Sequence, residues 1–194
     1  MAAAGLIVPA HAQPSALLRR NIPSSGEEIP LVGLGTARRY EAPEPGQRET
    51  LARFGTLGGT VIDTAPVYGD AETVVGDLLA QLAIRDKLFL AIQAAAHPQD
   101  RAHRGPPSAR YHRPSAHAAR AQEGRPHPLC RHHHLVRASW PQFFLKYIVS
   151  HPAVTCAVPG MARPGYVDDN LGAARGRLPD AALRRRMEAF IDAI

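Results

Sequence analysis

No apolar run in the 194 residues approaches the roughly 20 that a helix needs to cross a bilayer, which excludes a membrane-spanning helix. Cysteine is almost absent: Cys130 and Cys156 are too few for a disulfide scaffold or a four-cysteine zinc site. Acidic residues are scarce in only one place. The whole chain carries 23 Lys+Arg against 17 Asp+Glu, a formal charge of +6 and a pI near 9.9. Residues 92–138 hold eight arginines, no lysine, and only Asp100 and Glu123, so the entire +6 lies there and the remainder sums to zero. The same stretch holds eight of the ten histidines and six of the eighteen prolines, with few large apolar residues. A basic balance ordinarily prompts a search for nucleic acid or an anionic surface, but here the charge belongs to one stretch of unusual composition.

Outside that stretch the chain is patterned. Residues 29–36, an apolar run bounded by Gly and Pro, read as a strand. Leu51, Phe54 and Leu57 have helical spacing over residues 48–57, and Gly58-Gly59 ends that helix because glycine supplies the left-handed turn. Residues 60–64 and 87–92 read as strands, with a helix over 71–82 between them. Strand–helix–strand–helix–strand predicts a parallel sheet covered by helices. After residue 138, Trp140, Phe144, Tyr147 and Ile148 mark an apolar helical face, and residues 153–158 read as a fourth strand. A helix starts near Arg163, and Asp180 caps a last one with Leu183, Met187, Ile191 and Ile194 inward. Residues 1–28 are expected to be signal-like or disordered. Ala10-His11-Ala12 resembles a small-x-small cleavage site without a basic front end, so an upstream start and an Ala-rich tail both stay open.

The most specific motif is Gly58-Gly59-Thr60-Val61-Ile62-Asp63-Thr64-Ala65-Pro66-Val67-Tyr68-Gly69, followed by Ala71-Glu72 and Gly76. It resembles the second strand and following loop of the aldo-keto reductases, barrels of eight strand–helix units that reduce carbonyls with a nicotinamide cofactor. Val32-Gly33-Leu34-Gly35-Thr36 is similar to the first strand of that family, and Leu88-Phe89-Leu90-Ala91 to the third. His151-Pro152-Ala153-Val154-Thr155-Cys156-Ala157-Val158-Pro159-Gly160, running on to Asp169-Asn170, resembles its last strand and cofactor loop.

The resemblance implies that Tyr68 gives the proton to the carbonyl oxygen and that Asp63 holds a lysine which lowers the tyrosine pKa. Taken alone, Asp63 could equally cap the next turn and Tyr68 be a half-buried loop aromatic. It further implies that Gly160 and Arg163 bind the adenosine phosphate end of NADP, or of NAD, with Asp169 and Asn170 near the adenine. A guanidinium suits a 2′-phosphate because it holds the oxygens bidentately, although Arg163 also reads simply as an exposed arginine at a helix start. Two departures matter. Gln93 stands where the lysine belongs, and no stretch supplies the fourth strand with its catalytic histidine. General acid–base groups are typically worth ~10²–10⁴ in rate, so little or no turnover is expected.

His132-His133-His134 has no companion Cys/His spacing, so no metal site is expected, and the arginines lack an aromatic platform for specific nucleic-acid binding. An Arg/His-rich nucleic-acid- or metal-binding protein is the alternative reading. A frame shift explains more. One base inserted into GCC-ACC-AAG, Ala-Thr-Lys, gives GCC-ATC-CAA, the Ala91-Ile92-Gln93 of this chain. Residues 129–136, read one base later, permit Tyr-Val-Gly-Ile-Thr-Thr-Ser-Ser, similar to the family's sixth strand.

The expected organisation is therefore an N-terminal segment over 1–28, the N-terminal part of a barrel over 29–91, an unpatterned basic segment over 92–138 that reads as out of frame, and a C-terminal part with the cofactor loop over 139–194. The fold class is α/β, an incomplete TIM-type (β/α) barrel with a disordered basic insert, since such barrels take ~250 residues and eight strands. The expected partner is a small carbonyl substrate. As translated the chain reads as cytoplasmic, and as periplasmic or secreted if its true start lies upstream; nothing fixes its oligomeric state.

Overall fold

The computed structural model describes residues 16–93 and 139–193. The run that begins at Ile29 enters the core directly: Leu31, Val32 and Leu34 are fully enclosed. Burying an apolar side chain of this size is worth about 1.5–3 kcal/mol, which fixes this strand at the centre. Three strands pair in parallel in the order β3 (Leu34–Gly35), β4 (Val61–Thr64) and β5 (Phe89–Ile92). Leu34 sits opposite Ile62, and Asp63 opposite Ala91.

A fourth parallel element lies on the other side of β3. Val32 pairs with Ala157 and Gly35 with Gly160, through hydrogen bonds from Gly33 N to Ala157 O at 2.8 Å and from Gly35 N to Pro159 O at 3.0 Å. The pairing spans residues 157–160, overlapping only the end of the expected 153–158 strand, and it is broken because Pro159 has no N–H to give. The contact demands glycine at position 35, since a Cβ there would lie 2.4 Å from the Val158 carbonyl oxygen. Residues 157–160, β3, β4 and β5 thus form one parallel arc in which the last strand of the chain lies beside its first. The fold is an incomplete α/β barrel.

The helices follow the sequence pattern closely. Helix α1 (Gln47–Thr56) buries Leu51 and Phe54 and ends where Gly58 takes φ 87°. Helix α2 (Ala71–Leu82) buries Val74, Val75 and Leu79. Helix α3 (Trp140–Val149) departs from expectation. Its buried side chains are Leu145, Lys146 and Val149, while Phe144 and Ile148 are exposed. Lys146 turns inward because its ammonium reaches the carbonyls of Ala173, Arg175 and Arg177 at 2.7–3.3 Å, at the end of helix α4 (Pro164–Ala173). Helix α5 (Ala181–Asp192) is capped by Asp180, whose carboxylate accepts from Leu183 N at 2.8 Å. Met187 is buried, and Leu183 and Ile191 are half-buried.

The second half of the N-terminal segment also departs from expectation. Strand β1 (Arg19–Asn21) pairs antiparallel with β2 (Glu28–Pro30) across a turn in which Gly26 takes φ 73°. Arg20 ties this hairpin to the end of α3 by donating to the carbonyls of Val149, His151 and Val154. The hairpin precedes β3, so it closes the N-terminal end of the arc. Residues 1–15 and the basic stretch, apart from Ile92 and Gln93, lie outside the described residues, as do the cleavage-like motif and the histidine tract.

Candidate active site

The strands of the arc all end on one face, and the loops that follow them meet there. Asp63, third residue of β4, is half-buried. Its backbone carbonyl accepts from Thr36 N at 3.1 Å and from Thr36 Oγ1 at 2.9 Å, which locks the ends of β3 and β4 together. Side chains alternate along a strand, so Asp63, its partner Ala91 and then Gln93 face the same side. Gln93 Nε2 donates to the Asp63 carboxylate at 3.1 Å (Oδ2) and 3.4 Å (Oδ1). Burial raises the Asp63 pKa, and the hydrogen bond from Gln93 offsets part of that rise. Gln93 N in turn donates to Thr64 O at 2.9 Å, so its position is set by the ladder and not by a loose loop.

Tyr68 follows in the tight turn after β4, half-buried against the core, with its N donating to Ala65 O at 3.0 Å. That turn rests on the loop after β3: Asp70 N donates to Glu41 O at 3.1 Å. Gly69 takes φ 57° there, and a Cβ on it would meet the same carbonyl at 3.1 Å. Cys156 lies close enough to the Asp63 carboxylate to feel its charge. Burial, with that charge as a minor cause, pushes its thiol up to about 11.

The second group of residues lies where Gly160 pairs with Gly35. Arg39 packs beside Gly160, its Cγ 3.4 Å from where a Cβ would stand. Arg39 is held there by Gln47, a buried side chain whose amide donates to Arg39 O at 2.8 Å and Ala42 O at 3.0 Å. Arg163, in extended conformation, immediately precedes α4 and is exposed. Arg39 therefore stands close to Gly160 in space, and Arg163 and a helix N-terminus close to it in sequence, a setting suited to phosphate.

Asp169 and Asn170 fall on α4. Asn170 is buried. The Asp169 carboxylate accepts from Ser139 Oγ at 2.5 and 2.6 Å and from Gln142 Nε2 at 2.8 Å, so it joins α4 to the start of α3. Arg39, Cys156 and the Ser139–Asp169 link are not singled out by the sequence reading. The Arg38-Arg39 pair directly after the first strand is the one signal that could have flagged the first of them.

A parallel arc of strands with covering helices, and polar side chains gathered where the strands end, defines a β/α barrel site. Residues 31–123 match the model of the aldo/keto reductase family. Over that stretch the chain is similar to the aldo/keto reductases. The match runs past Ala91, where the motif-based resemblance ends, into the basic stretch, and it stops short of residues 139–194.

Two solved structures of a protein from Pseudomonas aeruginosa assigned as an aldo-keto reductase are 30% identical, with TM-scores of 0.36. The matches cover 40% and 41% of this chain and 32% of those, so the chain spans about a third of their length. An aldo-keto reductase from Klebsiella pneumoniae, solved in complex with NADPH, is 17% identical with a TM-score of 0.56, over 92% of this chain and 95% of that one. This likeness shows the fold. No curated protein matches.

Proposed function

We propose that this chain carries the site of a carbonyl reductase using NADP, and that it turns over little or no substrate. The observation that carries the proposal is the contact between Gln93 and Asp63. The carboxylate that would hold an ammonium holds a neutral amide instead.

Tyr68 would give its phenolic proton to the oxygen of a small aldehyde or ketone. The reduced nicotinamide, when bound, supplies hydride to the carbonyl carbon. A phenol with an ordinary pKa near 10 is a poor acid at neutral pH, and a nearby cation is what makes it a better one. Gln93 keeps Asp63 placed but brings no charge. The Gly160 neighbourhood fits a phosphate, with Arg163 as the 2′-phosphate partner and Arg39 beside it; this favours NADP over NAD. Asn170 and Asp169 would stand on the adenine side, the latter already accepting from Ser139 and Gln142.

The test is NADPH oxidation with a small aldehyde, read with NADPH fluorescence as a separate measure of binding. The native chain is expected to bind and not to oxidise. Gln93→Lys is expected to raise turnover by about tenfold or more, and Tyr68→Phe to abolish that gain. Native turnover that disappears in Tyr68→Phe overturns the proposal of inactivity. The origin of the middle segment has its own test. Out-of-frame translation over residues 92–138 predicts an extra base near codon 92 and a compensating loss near codon 138, with barrel strands removed. A family match that reaches residue 123 is the observation against it, and the gene sequence decides.

A further inference from the structure

The loop that follows β3 is built more firmly than a surface connection requires. Thr36 and Tyr40 are fully buried, and the Thr36 carbonyl accepts from both Arg39 N at 3.0 Å and Tyr40 N at 3.1 Å. The buried Gln47 gives its whole amide to the same loop: Nε2 donates to Arg39 O at 2.8 Å and Ala42 O at 3.0 Å, and Oε1 accepts from Glu44 N at 2.9 Å. Arg38 takes φ 60°, a left-handed conformation that residues with a side chain rarely adopt, and its N–H donates to the Glu41 carboxylate at 2.9 Å. Strain of this kind persists only where the surroundings over-determine it, and it clusters at ligand clamps and active sites.

What the loop fixes is Arg39. Its N–H and its carbonyl are both bonded, while its side chain is exposed and runs past Gly160, with Cγ 3.4 Å and Nε 3.8 Å from where a Cβ would stand there. The far end of the same loop supports the turn that carries Tyr68, since Glu41 O accepts from Asp70 N at 3.1 Å. One rigid loop therefore reaches from the Tyr68 turn to Gly160, and Arg163 follows Gly160 by three residues. In a nicotinamide dinucleotide the diphosphate is the middle of the molecule. With the nicotinamide at Tyr68 and the 2′-phosphate at Arg163, that middle falls beside this loop.

We infer that Arg39 binds the diphosphate bridge of the dinucleotide and that Gln47 is the positioning residue that aims it. A guanidinium presents a planar fork of donors that holds two phosphate oxygens at once, which a flexible cation does less well. Fixing the backbone of Arg39 before the ligand arrives removes part of the ordering cost of binding. The two arginines then divide the cofactor between them. Arg163 reads the 2′-phosphate, which NADPH carries and NADH lacks, whereas Arg39 holds the diphosphate that both share. The inference rests on the dinucleotide reading proposed above and assigns Arg39 to affinity, not to the choice between the two cofactors.

The experiment is calorimetric titration of the full chain with NADPH, NADH and 2′-AMP, the last of which has the 2′-phosphate but no diphosphate. Arg39→Met, at an exposed side chain, is expected to weaken NADPH and NADH alike by about tenfold or more and to leave 2′-AMP unchanged. Arg163→Met is expected to weaken NADPH and 2′-AMP and to leave NADH unchanged. Gln47→Met is expected to repeat the Arg39→Met pattern at smaller size, with retained 2′-AMP binding as the sign that the chain is folded. Native affinity for NADH in Arg39→Met, or a loss for 2′-AMP as large as that for NADPH, overturns the inference and leaves the dinucleotide reading standing. A Gln47→Met chain that binds both dinucleotides as the native one does overturns the positioning role. A native chain that binds none of the three ligands overturns the inference and the reading together.

Discussion

Replacing Lys146 by methionine keeps the length and most of the volume of the side chain and removes only the ammonium. In the native fold that ammonium is 6% exposed as part of its residue, and it donates to Arg175 O at 2.7 Å and to Ala173 O and Arg177 O at 3.3 Å. These carbonyls belong to the end of α4 and the turn after it, where backbone acceptors have no intrahelical partner and a cation is favoured. A hydrogen bond from a charged donor contributes about 1.5–3 kcal/mol, and a buried acceptor left unpaired costs about 1–3 kcal/mol. The three bonds do not simply add. Burial lowers the Lys146 pKa, the mark of a desolvation cost carried by the charged form.

Counting the one short bond in full and the two long ones at a fraction gives a loss of about 2–4 kcal/mol, a large share of the ~5–15 kcal/mol that holds a domain. Urea unfolding of Lys146→Met, followed by far-UV circular dichroism, reads this directly as a lower midpoint at unchanged slope. Lys146→Arg, which keeps the charge but not the shape, is expected to fall between. A Lys146→Met midpoint indistinguishable from the native one refutes the reasoning, since it would mean that water replaces the ammonium at no cost.

The remaining predictions address the arc and its polar residues. Cys156, with its thiol pushed up to about 11, is expected to react with iodoacetamide at pH 8 roughly 100-fold more slowly in the native protein than in urea, read at that residue by peptide mapping. Its folded pKa lies above its unfolded value, so its contribution to stability is complete below pH 9 and is lost as pH rises through about 11. Asp63 follows the same sign: its raised pKa means stability is lost as pH rises above the ordinary carboxylate range, and Asp63→Asn should flatten that slope in urea midpoints taken at pH 4 and pH 6. Gly35→Ala places a Cβ 2.4 Å from Val158 O and is expected to cost about 1–3 kcal/mol by pushing residues 157–160 off β3. Its melting temperature and NADPH fluorescence should therefore fall together, and an unchanged melting temperature would show that the contact yields.

What could be read from the sequence was set by local repetition. Leu51 and Phe54 on α1, and Val74, Val75 and Leu79 on α2, repeat at helical spacing because each helix buries one stripe, and those stripes are buried in the structure. Strand β4 could be read because Gly58-Gly59 and Pro66 flank its apolar run, and β5 because Leu88 to Ile92 is a short apolar run between polar residues. The hairpin of β1 and β2 could not, since its strands are three residues each and alternate weakly. Nothing local marks Arg20 as a tie, because the three carbonyls it meets lie more than 125 residues away in sequence. Helix α3 misleads for a related reason. Phe144 and Ile148 are the residues that hydropathy would bury, yet the helix turns them outward and buries a lysine.

That reversal bears on the site as well as the fold. A lone helix would not choose to expose Phe144 and Ile148 while burying Lys146; the choice is imposed by the carbonyls at the end of α4 and by the face that α3 offers to whatever stands beyond residues 157–160. In a complete barrel the next strand and helix would stand there. The residues turned outward are Phe144 and Ile148, and the polar pair Asp63–Gln93 stands where β4 and β5 end. Sequence motifs could single out Asp63, Tyr68 and Gly160 because these residues lie in strands and turns whose spacing is local. They could not show how the arc is put together, because that is a property of pairings distant in sequence: among the described residues, 157–160 lie beside β3 and β5 stands at the other end.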